Sequence, residues 1–503
     1  MAYMGDMVRP ICRDGATLDY VAAAKAYGSR CDAIGSIPRG GVLVFLAVML
    51  VLAVAPMRSA RGGEQPVKMR LIFPPSDADK KDLALLQKEA DGGNPKAQFL
   101  LGMRYSEGVG VSQSGTEAMK WYRRAADRGY ARAQFNLGVM CDRGRGVPVD
   151  YAEAAKWYRL AAGQEVAAAQ HNISVLYDEG KGVRRDSTEA LKWRRLAAEQ
   201  GIVEAQYLLA HAYRYGGGVL RDDREAAKWF KLAAAQGNAY AQFELAVMYD
   251  YGEGVPQDKF EAVEWYGRAA EQGVPEAQNS LAVMYDEGEG LTRNKEESLY
   301  WCRLAAEQGD SVAQNNLGWA YREGDGVAKD YAEAVKWLRL AAGQGVTIAQ
   351  NNLGLMYLEG QGVKRDEPEA LRLFRLAAAE GNGYACCNIG EMYVKGQVVE
   401  QNYEEAMKWF RLAAEKDGND AAYWIGWLYE EGKGVLADPD EAAKWYRIAE
   451  GRKDPNGLLS IGEMYEKGLG VPGSISNAEK WYRKACRAGE KDACERLKRL
   501  AGK

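Results

Sequence analysis

Two histidines, eight cysteines and a recurrent glycine loop are the groups in this 503-residue chain whose chemistry has to be tested first. His171 and His211 could ligate a metal or move a proton. Neither has a Cys, Asp or Glu set at metal-ligand spacing beside it, so the pattern predicts no metal site. Loops such as Gly144–Val147 and Gly324–Val327 have the glycine content of phosphate-cradling turns. They lack Gly-Lys-Ser/Thr, follow a helical pattern rather than a strand, and recur down the chain, so helix termination explains them better. No Gly-x-Ser-x-Gly elbow sets a serine beside a usable base, and no surface carboxylate pair is singled out. The expectation is a non-enzymatic protein without a cofactor. The cysteines are Cys12, Cys31, Cys141, Cys302, Cys386, Cys387, Cys486 and Cys494. Only the last two have a suggestive spacing. Late in one helix and early in the next, such positions can come within disulfide reach in a helical hairpin; the other reading is two buried small thiols. A bond would imply an oxidising compartment.

The elements that must position any site follow from a period. Trp121, Trp157, Trp193, Trp229, Trp265, Trp301 and Trp337 stand 36 residues apart, Leu373 takes the next slot, and Trp409, Trp445 and Trp481 resume the register. A fixed period of this length signals stacked supersecondary units. Each unit reads as two helices. In the unit from Ala133, the apolar residues Leu137, Met140 and Cys141 keep helical spacing, and Gly144 and Gly146 end the helix. Asp150 then caps a second helix, with Glu153 placed to reach back to it. That cap slot holds Ser114, Asp186, Asp222, Asp258, Asn294, Asp330, Asp366, Asn402, Asp438 and Ser474 in the other units. The second helix should bury Ala154, Trp157, Tyr158 and Ala161 while Lys156 and Arg159 stay wet. Gly102, Gly138, Gly318, Gly354, Gly390, Gly426 and Gly462 share a mid-helix slot, filled elsewhere by Ser174, Ala210, Ala246 and Ala282. A mid-helix glycine costs about 1 kcal/mol, so its recurrence implies another helix packed close against it. Neither helix can bury its stripe alone; the expected fold is an all-α solenoid.

The run from Ala313 to Gly345, with its Ala-Gln-x-Asn-Leu-Gly start, Gly-x-Gly-Val loop and Glu-Ala-x-Lys-Trp second helix, resembles the Sel1-like repeat, a relative of the tetratricopeptide repeat with a longer inter-helix loop. The resemblance covers roughly residues 77–500. It implies a right-handed α-solenoid of eleven to twelve helix pairs and a scaffold or adaptor role, as in family members linked to membrane-associated quality control, bacterial signalling and host interaction. By analogy with tetratricopeptide arrays, the first helix of each pair lines a concave groove that takes a peptide or protein segment. Residues flanking the small slot then become the candidate binding set: Tyr207, His211, Asn279, Asn315, Trp319, Asn351, Tyr423 and Trp427. The asparagines form a candidate ladder for peptide backbone, and the tryptophans and Tyr423 are candidate anchors. The Cys486–Cys494 spacing resembles the cysteine-rich exported branch, in which hairpins are clamped. Some of its members are associated with β-lactam binding or hydrolysis, which is one alternative function; a structural, self-assembling solenoid is another.

The formal net charge of −4 and pI near 5.7 give no basic stripe for nucleic acid. Residues 1–40 read as an N-terminal extension without regular structure, and residues 57–76, rich in Pro and Gly, as a linker to the array at 77–503. Between them Gly41–Pro56 carries no charge and is the one candidate membrane span, at the short end of the required length. A signal anchor, a cleaved signal peptide and a buried apolar helix or mis-assigned start are the competing readings. The first two make the protein membrane-anchored through residues 41–56, or exported. Partner identity and oligomeric state are not encoded in these patterns.

Overall fold

The computed structural model describes residues 83–416, 421–451, 455–468 and 472–501. The extension at 1–40, the candidate span at 41–56 and the linker at 57–76 lie outside them. Among the described residues every regular element is an α-helix, and none is long and apolar enough to cross a membrane. The described residues form twenty-four helices: an opening one at Leu83–Asp91, eleven helix pairs from Pro95–Glu107 with Gly115–Asp127 to Pro455–Lys467 with Ile475–Arg487, and a closing one at Lys491–Ala501. Contacts divide the chain into two units, one ending at Gln272 and one beginning at Gly273. In each, a first helix packs most extensively on its own second helix, and stacking on the neighbouring pairs completes the core.

The caps form as the sequence leads one to expect. The Asp150 carboxylate accepts from the backbone N–H of Ala152 and Glu153, each at 3.0 Å. The glycine after the first helix, Gly144, turns left-handed at φ 68° and donates its N–H to the Met140 carbonyl. The reach-back of Glu153 does not form. The Asp150 N–H is already taken by the Cys141 carbonyl at 2.8 Å, so Glu153 accepts instead from the Trp157 indole N–H at 2.8 Å. Glu261 with Trp265 and Glu333 with Trp337 repeat that bond.

The small slot is required by the helix it faces. A Cβ on Gly138 would lie 2.6 Å from the Tyr158 ring, and the same clash recurs at Gly102 with Tyr122 and Gly354 with Phe374. The hydroxyl of the facing tyrosine needs a partner once buried, and its identity tracks the residue sixteen earlier. Tyr158 donates to Asp142 (3.2 Å), Tyr266 to Asp250 (3.2 Å) and Tyr446 to Glu430 (2.8 Å). Where phenylalanine removes the hydroxyl, the acid is gone too: Phe374 is matched by Leu358 and Phe410 by Val394.

A polar ladder joins successive pairs. Buried Gln134, Gln170, Gln206 and Gln242 each donate to the carbonyl eight residues earlier, at 3.1–3.2 Å. Each also accepts from a glutamine thirty residues later, at 2.7–2.8 Å. Gln314 repeats both bonds in the second unit. The ladder ends at Gln350, whose Oε1 is buried without a hydrogen bond, because residue 380 is a glutamate and has no amide to donate.

Candidate functional site

The first helices present the columns that flank the small slot, and the structure separates them. The column three residues before the slot is largely core. Phe99 and Phe135 are buried, because their rings pack on the aromatic of the second helix, with centroids 5.7 Å apart for Phe99 and Tyr122 and 5.9 Å for Phe135 and Tyr158. The column one residue after the slot stays partly open.

In the second unit this corrects the reading of Asn279, Asn315 and Asn351 as an open ladder. They are 4%, 6% and 7% exposed. Their side-chain oxygens accept from Asn316 (3.3 Å), Asn352 (3.4 Å) and Asn388 (2.7 Å), each 37 residues later. The amides join neighbouring first helices rather than wait for a peptide. Trp319 is half-buried, with an indole N–H that is enclosed and makes no hydrogen bond. Tyr423 and Trp427 are half-buried and belong to an aromatic cluster. Trp424 stacks on Phe410 at 5.5 Å with planes 2° apart, and Trp427 meets Trp424 edge-on at 5.6 Å. Tyr423 abuts Trp424 at 5.5 Å, and the Lys433 ammonium lies 4.3 Å from the Trp427 ring centre.

In the first unit Tyr207 and His211 are half-buried neighbours with ring centroids 6.0 Å apart. His211 also lies 4.4 Å from the exposed ring of Tyr215. Burial, reinforced by the guanidiniums of Arg214 and Arg194, pushes the His211 imidazole down to about 4. Burial lowers His171 too, with Glu204 opposing and Arg194 adding to the effect. The two histidines therefore share a cationic neighbour and no metal-ligand set; among the described residues no group of three His, Cys, Asp or Glu side chains gathers as ligands.

That shared neighbour escaped the sequence reading. Arg194 is 6% exposed and stands in the slot held by Tyr122, Tyr158, Phe230 and Tyr266 in surrounding pairs. It pairs with Asp178, the acid that elsewhere receives the tyrosine hydroxyl. Arg214 is also buried and pairs with Glu253 at 3.0 Å and Glu244 at 3.7 Å. The signal was available: Trp193 is followed by arginine where its counterparts are followed mostly by Tyr or Phe. At the other end of the array Cys486 and Cys494 are joined by a disulfide, with Cα atoms 4.9 Å apart. Cys141, Cys302, Cys386 and Cys387 are buried and form no disulfide among the described residues.

The Sel1 repeat model matches eleven times, over residues 95–130, 131–165, 167–202, 203–238, 239–274, 275–310, 311–346, 347–382, 383–418, 419–450 and 455–490. The chain belongs to the Sel1 repeat family. Repeats of this family commonly mediate protein–protein interaction and are typically non-catalytic. Among solved structures, a protective antigen of uropathogenic Escherichia coli strains is 36% identical, with a TM-score of 0.72 over 84% of this chain and 91% of that one. A Sel1 repeat protein from Oxalobacter formigenes is also 36% identical, with a TM-score of 0.49 over 65% of this chain and 97% of that one. Helicobacter pylori cysteine rich protein B is 30% identical, with a TM-score of 0.22, over 25% of this Sel1 repeat chain and 96% of its own length. No curated protein matches.

Proposed function

We propose that this Sel1 repeat protein is a non-enzymatic scaffold that holds a peptide or protein segment along the face built by its first helices. The aromatic cluster of Tyr423, Trp424 and Trp427 carries the reading. Large rings at this slot are not required by the stacking, since the equivalent of Trp427 is Glu391 in the preceding pair and Glu463 in the following one. Packed against Phe410 and bracketed by Lys433, the rings are held rigid, and rigid aromatic anchors dominate binding surfaces. Trp319 is a further candidate contact within the second unit, and in the first unit Tyr207 and His211 are candidates by themselves. The test is the full-length Trp427→Ala, Tyr423→Ala variant, purified with its native partner. Retained helicity with partner capture lowered about tenfold or more fits loss of a hot spot; undiminished capture removes the assignment.

The protein is further proposed to be membrane-anchored or exported. The uncharged stretch at 41–56 and the Cys486–Cys494 bond support this, since disulfides persist in oxidising compartments. Thiol alkylation of the protein taken directly from its native compartment tests it: both cysteines blocked supports the reading, and both reactive removes it.

A further inference from the structure

One slot of the second helices turns aliphatic side chains toward water. Three residues after the recurrent tryptophan stand Leu160, Leu196 and Leu232, which are 46%, 37% and 49% exposed. The fold does not ask for leucine there. In the flanking pairs the slot holds Arg124 and Arg268, whose guanidiniums lie 4.5 and 4.4 Å from the ring centres of Trp121 and Trp265. A cation thus covers the tryptophan and keeps the surface wet, while the three middle pairs leave methyl groups in solvent.

The three slots are neighbours. Arg123 and Glu153 pair at 3.1 Å between successive second helices. Trp193 packs on the core cluster of Tyr158 and Ala161, and Trp229 on that of Ala197 and Ala198. Each leucine lies one helical turn beyond its tryptophan, so the three share a face. The result is an apolar row bounded by Arg124 and Arg268, and exposed apolar surface with a polar rim marks a contact.

The sign of the charge decides what that contact is. An exposed cation stands beside each leucine: Arg159, Arg195 and Lys231. Arg159 and Arg195 donate to the neutral hydroxyls of Tyr177, at 2.6 Å, and Tyr213. Glu153, Glu189 and Glu225 are each engaged by the lysine three residues later, and of the residues one turn beyond the leucines only Glu199 is acidic. Over the loops and second helices at 143–162, 180–199 and 216–235, Lys and Arg number fourteen against eight Asp and Glu, whereas the intervening stretches 163–179 and 200–215 hold one against four. The second unit repeats the exposed leucines at Leu340, Leu376 and Leu412. Its matching segments 324–343, 360–379 and 396–415 hold nine against ten. Of the two rows, the one in the first unit joins aliphatic side chains to surplus positive charge.

We propose that this row is a docking face for an anionic lipid bilayer, with the leucines entering the headgroup region and the cations meeting its phosphates. The chain's own course favours the same occupant. The uncharged stretch 41–56 lies ahead of the first unit, and residues 57–82 can reach at most about 90 Å before the array opens at Leu83. In this respect the inference rests on the anchor reading, and it adds a second, separate contact.

The test places an environment-sensitive fluorescent amino acid at residue 196, and separately at 376, in the full-length chain. The probes are vesicles of phosphatidylglycerol mixed with phosphatidylcholine, and vesicles of phosphatidylcholine alone. Emission from 196 is expected to shift to the blue with the mixed vesicles, and to shift less with phosphatidylcholine alone, at raised salt, or from 376. Arg159→Gln should lower the docked-to-free ratio about fivefold, and Leu160→Gln with Leu232→Gln about tenfold or more. All three positions are exposed, so wild-type helicity is expected; Arg159→Gln removes no apolar contact and serves by itself if the leucine variant misfolds. No blue shift from 196, the same shift from 376, the same shift with phosphatidylcholine alone, or an unchanged ratio in the folded variants would each overturn the proposal. So would a shift without vesicles that grows with protein concentration, which would assign the row to a second copy of the chain. Alkaline extraction reads the anchor by itself: release of the chain from the vesicles removes the anchor reading and leaves the emission result standing.

Discussion

Gln236 donates its side-chain amide to the Oε1 of Gln206 at 2.8 Å, while Gln206 gives its own amide to the Ala198 carbonyl at 3.1 Å. One buried side chain therefore ties the end of the preceding second helix to the end of its own. A stack that buries only apolar stripes can slide; a bond with fixed donors and acceptors sets the register between pairs. Gln206→Leu keeps the volume but removes both bonds, while the Ala198 carbonyl keeps the Gly201 N–H at 3.0 Å and the exposed Gln236 amide turns to water. It should cost about 0.5–1.5 kcal/mol, measured as a lowered urea midpoint. An unchanged midpoint would show the ladder to be incidental.

Val398 sits at φ 64°, where Gly146 and Gly182 occupy the equivalent loop position at 77° and 67°. A β-branched residue is strained in the left-handed region. Val398→Gly should stabilise the array by about 1 kcal/mol, after the greater freedom that glycine gives the unfolded chain is subtracted. Equilibrium denaturation of the two proteins side by side tests this, and a destabilised variant would contradict it.

Trp265 is buried and donates to Glu261. Trp265→Ala should cost about 3–5 kcal/mol. Because each pair touches only its neighbours, hydrogen exchange should speed up most in the pairs around residues 239–271 and least at the start of the first unit. Uniform acceleration throughout would contradict near-neighbour coupling.

The His211 imidazole titrates near 4 in the folded chain against an ordinary 6.5. A histidine depressed on folding is neutral in the native state, so its environment adds no penalty above pH 6.5. As pH falls from 6.5 towards 4 the unfolded state takes up a proton that the native state refuses, and stability declines, by at most on the order of 3 kcal/mol. His211→Gln should flatten this part of the stability–pH curve. Equal slopes for wild type and variant between those pH values would remove the effect.

Much of the architecture was legible because it rests on local rules applied in phase. Asp150 and its counterparts are caps in any context, and glycine at residue 138 only makes sense beside a close-packed helix. The failures have a common cause. The destination of Glu153 depended on whether a carbonyl from the previous helix had already satisfied the cap, which is a tertiary fact. Asn279, Asn315 and Asn351 looked like binding residues because amides suit peptide backbone, but a neighbouring unit supplies the same chemistry at 37 residues' distance. Gln134 and its equivalents were visible in the repeat motif without their bonds being visible. Arg194 could have been found by noting what replaces the aromatic after Trp193. Trp427 stands out as a ring in a column that holds Glu391 and Glu463 on either side, whereas Tyr423 stands in the core column and meets Tyr446 at 6.1 Å, as Phe99 meets Tyr122.

The first-helix face, and not the second-helix face, is proposed to meet the partner. It is tested most directly by placing a photo-crosslinking amino acid at residue 427, and separately at exposed Leu376 and Leu412 on second helices, in the full-length protein in its native cells. A discrete protein adduct is expected from residue 427 and none of comparable yield from 376 or 412. Adducts confined to the second-helix positions, or equal at all three, would contradict it.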